Sequence, residues 1–197
     1  MVILEENRKT VEKLKQYFID VGFEVEDVEK ILHSFQLKEF EKETYFVEEG
    51  KISRHLAFVE SGVFQYFVLK EGEERTTYIS IANTFMGSLL SYLNETPARE
   101  YIRALTAGKL WVISKDEITK LQNEIPAFKA FYIGLLEWQI CCIEKSRFDL
   151  ITLTAEQRYE KILAEEPHLL QHIPLQYLAS VLGITPRHLS RIRKNIR

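Results

Sequence analysis

The residues best suited to recognition chemistry are gathered near the end of the chain. From Arg187 onward there are five basic residues (Arg187, Arg191, Arg193, Lys194 and Arg197) and no acid. They fall in and after "LASVLGITPRHLSRIRK", whose apolar residues recur every three or four positions, as one face of a helix requires. Guanidinium forks and ammonium groups on such a face bond phosphate oxygens, and arginine also bonds guanine O6 and N7 in the major groove. The stretch has the order of a helix-turn-helix. Leu175, Leu178 and Leu182 face inward, Ala179 is small where two helices approach, and Gly183 supplies a tight turn filled by Ile184. Thr185 is the expected N-cap, and Pro186 is the first helical residue, where its missing N–H costs nothing. With Leu189, Ile192 and Ile196 turned to the core, Arg187, His188, Ser190, Arg191, Lys194 and Arg197 are left for solvent, with Arg193 nearby. The predicted DNA-contacting set is Thr185, Arg187, His188, Ser190, Arg191, Arg193 and Lys194. The alternative is a solvated basic helix that merely ends the fold.

Other chemistries find less support. A metal site in a β domain needs clustered His and carboxylate ligands on neighbouring strands. His55 stands alone there, and His168 and His172, spaced i, i+4 between Pro167 and Pro174, read as packing or surface residues. Cys141 and Cys142 are adjacent, cannot easily bridge each other, and read as inert thiols before oxidant sensors. There is no nucleophile elbow and no phosphate-cradling glycine loop. We therefore expect no enzyme, no metal and no cofactor.

The rest of the chain must position the basic helix. It has 197 residues, 46% of them hydrophobic, and a formal charge of -3, which argues against a wholly basic nucleic-acid coat or a polybasic membrane binder. The charge is uneven: residues 151–197 carry seven Lys or Arg against four Glu, and residues 1–150 carry 19 basic against 25 acidic residues. A basic module on an acidic body implies a localised polyanion site. No apolar run approaches the roughly 18 residues of a membrane span, and "MVILEENRK" has no leader pattern, so a soluble, cytoplasmic chain without a membrane partner is expected.

Val11, Leu14, Phe18 and Val21 predict a first helix ending at Gly22; Val25, Val28, Ile31, Leu32 and Phe35 predict a second. From Phe40 to about Ile113 the segments "TYFV", "HLAFVES", "VFQYFVL", "RTTYISI" and "KLWVIS", separated by turn residues, predict antiparallel strands in a barrel, roll or sandwich, with "EGEE" as a hairpin connection. Ser114 with Glu117, and Thr154 with Gln157, are capping boxes that open two later helices. Pro126 starts a long helix to about Arg147 with two apolar stripes. One, Phe128, Phe131, Leu135, Trp138 and Cys142, has heptad-like spacing and is read as a dimer seam; the other holds Tyr132, Leu136, Ile140 and Ile143. One stripe can dock on the β domain while the other meets a partner. The alternative is a single wide stripe in one core.

With these residues in view, the chain resembles the Crp/Fnr family of bacterial transcription regulators over nearly its whole length, most strongly in "LTAEQRYEKILAEEPHLLQHIPLQYLASVLGITPRHLSRIRK" and also through "YFVEEG", "AFVESGVFQYFV" and "EGEERT". The resemblance implies an α+β fold: an antiparallel, jelly-roll-like β-roll sensor over 1–118, a dimerisation helix and hinge over 119–150, and a small all-α helix-turn-helix domain over 151–197 lacking most or all of the family's β-wing. It implies a homodimer that binds double-stranded DNA at a pseudo-palindromic operator, with RNA polymerase and a small-molecule effector as further partners. The helix from Thr185 would enter the major groove with Arg191 at a base- or phosphate-contacting position; Pro186 stands where many members have a base-reading arginine, shifting readout to Arg187, His188 and Arg191. Members that bind cyclic nucleotide use Gly-Glu-Leu for the ribose and Arg-Ser-Ala or Arg-Thr-Ala for the phosphate. Here "MGSLLSYLNETPAREY" keeps Gly87, Leu89 and Arg99, but Ser88 replaces the glutamate, and Glu100 and Tyr101 replace the small residues. A carboxylate beside a phosphate repels it in a partly desolvated pocket, so this segment is expected to take a different ligand or none rather than a cyclic nucleotide. The competing function is a small-molecule sensor or adaptor acting through protein contacts, with weak or no DNA binding of its own.

Overall fold

The computed structural model describes residues 13–165, 167, 170 and 173–196. Val11, His168, His172 and Arg197, all invoked above, lie outside the described residues.

Two helices lead into the β region: α1 through residues 13–21 and α2 at Val25–His33. Among the described residues, eight strands follow. One sheet has the order β1-β8-β3-β6, formed by Gln36–Phe40, Gly108–Ser114, His55–Ser61 and Phe85–Met86, and β1 with β8, β8 with β3 and β3 with β6 pair antiparallel. The other has the order β2-β7-β4-β5, formed by Tyr45–Val47, Tyr101–Ala104, Phe64–Lys70 and Glu73–Ser80. A short helix, α3 at Leu89–Asn94, precedes β7. Then come α4 at Lys115–Glu124, α5 at Pro126–Thr152, α6 at Ala155–Glu165, α7 at Leu175–Val181 and α8 at Pro186–Asn195. Among the described residues no helix is long and apolar enough to cross a membrane.

The chain divides into two compact units: Met1–Tyr66 with Ile79–Tyr132, and Phe67–Tyr78 with Ile133–Arg197. In the first, strand alternation sorts side chains into two cores. Ala57, Val59, Leu110 and Val112 join Val47, Phe64, Tyr66, Met86, Ile102 and Ala104 inside the roll. Their neighbours Phe58, Trp111 and Ile113 join Leu14, Phe18, Val28, Ile31 and Phe35 of the leading helices, together with Ile118, Leu121, Ile125 and Phe128. A strand covered on both faces reads as a continuous apolar run, which is why "HLAFVES" and "KLWVIS" were legible. The β4–β5 connection is the two-residue turn Glu71-Gly72 with both φ values positive (57° and 80°), the handedness that suits a two-residue hairpin.

Several expectations need correction. β1, β6 and β7 were not read from the sequence; "QLKEF" is polar, and β6 is only two residues long. Val21 and Val25 are exposed rather than buried. The long helix runs five residues beyond Arg147, to Thr152. Of the two capping boxes, Thr154 and Gln157 exchange both bonds (3.2 and 2.9 Å). Ser114 accepts the Glu117 N–H at 3.2 Å, but the Glu117 carboxylate accepts instead from the Ser34 hydroxyl at 3.0 Å and so ties α4 to the end of α2.

Phe18 is fully buried, and its ring contacts those of Phe23, Phe35, Phe85, Phe128 and Phe131. Phe18→Ala is expected to lower unfolding stability by about 3–5 kcal/mol, as for other aromatic truncations in a core; equilibrium denaturation measures it.

Candidate functional site

The basic helix is built as its sequence suggests. The Thr185 side chain accepts the His188 N–H at 3.2 Å, and Pro186 occupies the first turn. Leu189 and Ile192 are buried, while Arg187, His188, Arg191 and Lys194 are exposed and Arg193 is half-buried. The preceding turn is a Schellman motif: the Gly183 N–H reaches the Ser180 carbonyl and the Ile184 N–H the Ala179 carbonyl, both at 2.9 Å, with Gly183 at φ +69°. Leu178, Ala179 and Leu182 form the buried side of α7. Ser190 departs from expectation: its hydroxyl donates to the Pro186 carbonyl at 3.0 Å, so in this arrangement its proton is not available to a phosphate.

Two features of this unit escaped the sequence. Arg158 on α6 donates to the carbonyl oxygens of Leu153 and Leu182, each at 2.6 Å, and so places a cation against the C-terminal end of α7 just before the turn. Its partners lie 5 and 24 residues away, beyond any local pattern. The α6 helix is further held to α5 by the ion pairs Lys161–Asp149 and Lys145–Glu165.

The dimer stripe is redistributed. Phe128 is 2% exposed and Phe131 packs against the same aromatic core, so these two residues are consumed by packing within the chain rather than offered to a partner. Tyr132 of the second stripe also packs there, and its hydroxyl lies 3.4 Å from that of Tyr92 on α3. Beyond Tyr132 the helix changes character. Ile133, Ile140 and Ile143 are exposed along one stripe, with half-buried Leu136 among them; Ile140 is 61% exposed. Trp138 is also exposed (55%), whereas Leu135 and Cys142 are half-buried.

The ligand cassette is brought together only in part. The Gly87 N–H donates to the Tyr66 hydroxyl at 3.0 Å, and a Cβ at Gly87 would lie 2.6 Å from the Leu56 side chain, so the backbone must approach closely there. Ser88 is 1% exposed and donates to Glu100 at 2.9 Å. Burial raises the Glu100 carboxyl above its ordinary range, partly offset by that hydrogen bond. Arg99, expected at an anion site, is exposed, and the residue before it, Ala98, is buried in the roll interior. Leu89 is half-buried against the aromatic core, and Tyr101 is half-buried with its ring 5.7 Å from that of Tyr45. Lys115 donates to the carbonyls of Tyr92 and Leu93 and pairs with Glu95, so the end of α3 is clamped by a residue from outside the cassette. A cyclic phosphate fits this set poorly: a buried hydroxyl is bonded to a half-buried carboxyl, and the expected arginine is exposed.

Residues 37–124 match the family model of the cyclic nucleotide-binding domain. Sequence comparison with the curated proteins gives no match. Among solved structures, FixK2 from Bradyrhizobium japonicum is similar at a TM-score of 0.72 and 12% identity, over 82% of this chain and 84% of that one. This chain shares that fold. A CooA mutant from Carboxydothermus hydrogenoformans is similar at 0.69 and 16% identity, over 84% and 78% of the two chains. The c-di-GMP responsive global regulator CLP from Xanthomonas campestris is similar at 0.66 and 17%, over 88% and 91%. The roll of this chain thus carries its own residues at the cassette positions.

That chemistry is testable through pH. Because the folded Glu100 pKa lies above its unfolded value, its contribution is fully present below the unfolded pKa and is lost as pH rises through the folded one. Glu100→Gln keeps an acceptor for Ser88 without the charge. Wild-type stability should therefore fall relative to Glu100→Gln as pH rises through and above the ordinary carboxylate range, measured by denaturation at a series of pH values.

Proposed function

We propose that the chain is a homodimeric, sequence-specific DNA-binding regulator of the Crp/Fnr type, controlled by a signal received at its β-roll. The observation that carries this reading is the exposed basic edge of α8, with Arg187, His188, Arg191 and Lys194 presented on a helix whose start is capped by Thr185 and whose preceding turn is fixed by Gly183. The edge combines forks for base edges with ammonium for phosphate. Two copies would read successive major grooves about 34 Å apart on a pseudo-palindromic duplex.

The dimer forms through the exposed stripe of α5, on Ile133, Leu136, Ile140 and Ile143. A helix that leaves this much apolar surface uncovered in one chain is stabilised by covering it with another. The roll does not take cyclic nucleotide as its signal, because a Ser88 hydroxyl bonded to the partly desolvated carboxyl of Glu100 stands in place of an anion site.

Three measurements test these statements. Arg191→Ala should lower affinity for a duplex selected by the wild-type protein by about 1–3 kcal/mol, the worth of a bidentate base contact; an unchanged ratio of specific to random affinity removes Arg191 from that role. Ile140→Glu combined with Ile143→Glu should sediment as monomer with its helical circular dichroism retained, and a dimer would move the seam elsewhere. Titration calorimetry with millimolar cyclic AMP or cyclic GMP should give no saturable heat.

A further inference from the structure

Ser88 stands at the N-cap position of α3, where a serine hydroxyl ordinarily accepts an N–H of the first turn, yet its side chain makes no such bond. The hydroxyl donates instead to the Glu100 carboxylate at 2.9 Å, just before β7 begins. Ser88 is 1% exposed, so the choice between the two partners is made away from bulk water. The rest of α3 is tied down. Ser91 accepts the Ser53 N–H at 2.8 Å and donates to the Thr96 carbonyl at 2.6 Å, and Lys115 holds the carbonyls of Tyr92 and Leu93, each at 3.2 Å. The start of α3 is therefore the end that goes without its cap. Burial raises the Glu100 carboxyl, and the Ser88 hydrogen bond opposes that rise.

We propose that the Glu100 carboxyl is a proton-binding site of the roll, and that its proton decides whether the Ser88 hydroxyl serves Glu100 or caps α3. With Glu100 ionised, Ser88 is held by a charge-assisted hydrogen bond and the first turn stays uncapped. A proton taken from water makes the acceptor neutral, the bond falls to about half its strength, and the serine oxygen turns to the first-turn N–H groups. Because the folded pKa is raised, the capped form persists above the ordinary glutamate range and is lost as pH rises through the folded value. The other titratable and charged groups on the surrounding elements are Tyr66 on β4, Tyr92 on α3, Tyr101 on β7, exposed Arg99, Lys115 with Glu95 at the far end of α3, and exposed His55 on β3. Burial raises Tyr92 and Tyr101 further from neutral pH, while burial and Lys38 lower His55, so His55 is the group to be controlled for. As the signal of a regulator the proton rests on the reading given under Proposed function; as a site it rests on the hydrogen bonds of the roll alone.

The test compares the full-length wild type, Glu100→Gln, which keeps a neutral acceptor, and Ser88→Ala, which neither caps nor donates. Hydrogen exchange, corrected for the intrinsic pH dependence of amide exchange, is followed across the titration of the Glu100 carboxyl, read from its carbon-13 resonance. In the wild type the protection of the Leu90 and Ser91 amides should fall by about three- to thirtyfold as Glu100 ionises, the ordinary worth of an N-cap bond. Glu100→Gln should hold the low-pH level of the wild type throughout, and Ser88→Ala should show low protection at every pH. Flat protection in the wild type overturns the proposal, as does a fall that persists in Ser88→Ala. A fall that persists in Glu100→Gln assigns the effect to His55 or another group and overturns it too, and an equal fall in the β8 amides reduces it to global stability. As a signal, the proton should also change the ratio of wild-type to Glu100→Gln affinity for a duplex selected by the wild type over the same pH range; a constant ratio overturns that role. Failure of the wild type to select any duplex counts against the DNA-binding reading, and the exchange comparison then decides the proton site alone.

Discussion

The aromatic cluster around Phe18 is the contact on which much else depends. It joins α1, the outer face of the β3-containing sheet through Phe58 and Phe85, and the first turns of α5 through Phe128 and Phe131. Edge-to-face ring pairs add directional preference to a large burial of apolar area, so the start of α5 is fixed in direction as well as held in place. Past that end of the helix, Ile133, Ile140 and Ile143 are exposed.

Around the basic helix the ordering principle is different. Beside the buried Leu178, Leu182, Leu189 and Ile192, the geometry rests on satisfied backbone ends: Thr185 at the start of α8, the Gly183 turn after α7, and Arg158 against the carbonyl of Leu182. These interactions are short-ranged and polar, so they fix direction without consuming the exposed basic edge. The cassette shows the converse economy. Buried Ser88 is satisfied within the chain by half-buried Glu100, and desolvation keeps that carboxyl easier to protonate than usual.

Legibility in the sequence tracked the range of the interactions. Periodicity and caps revealed α2, the apolar strands β3 and β8, the Thr154 box and the whole turn-helix pattern, because each depends on residues within about five positions of one another. β1 was missed because its side chains are mostly polar, and its pairing with β8, Gln36 opposite Val112, spans more than seventy residues. Arg99 and Glu100 show the same limit at the site. Both were visible as candidates, but which one turns to Ser88 depends on the path of the backbone into β7.

The sequence alone determined the identity and order of the parts: a β-rich body, a long two-striped helix and a proline-headed basic helix after a glycine turn. These follow from local steric preferences and from apolar period, which a chain carries wherever it folds. Tertiary structure decided how those parts are used. It withdrew Phe128 and Phe131 from the surface and left Ile140 and Ile143 on it, turned Glu100 rather than Arg99 toward Ser88, and joined Thr76 to Ser180 across 104 residues. Burial and long-range hydrogen bonding depend on which surfaces meet, and no local pattern specifies that.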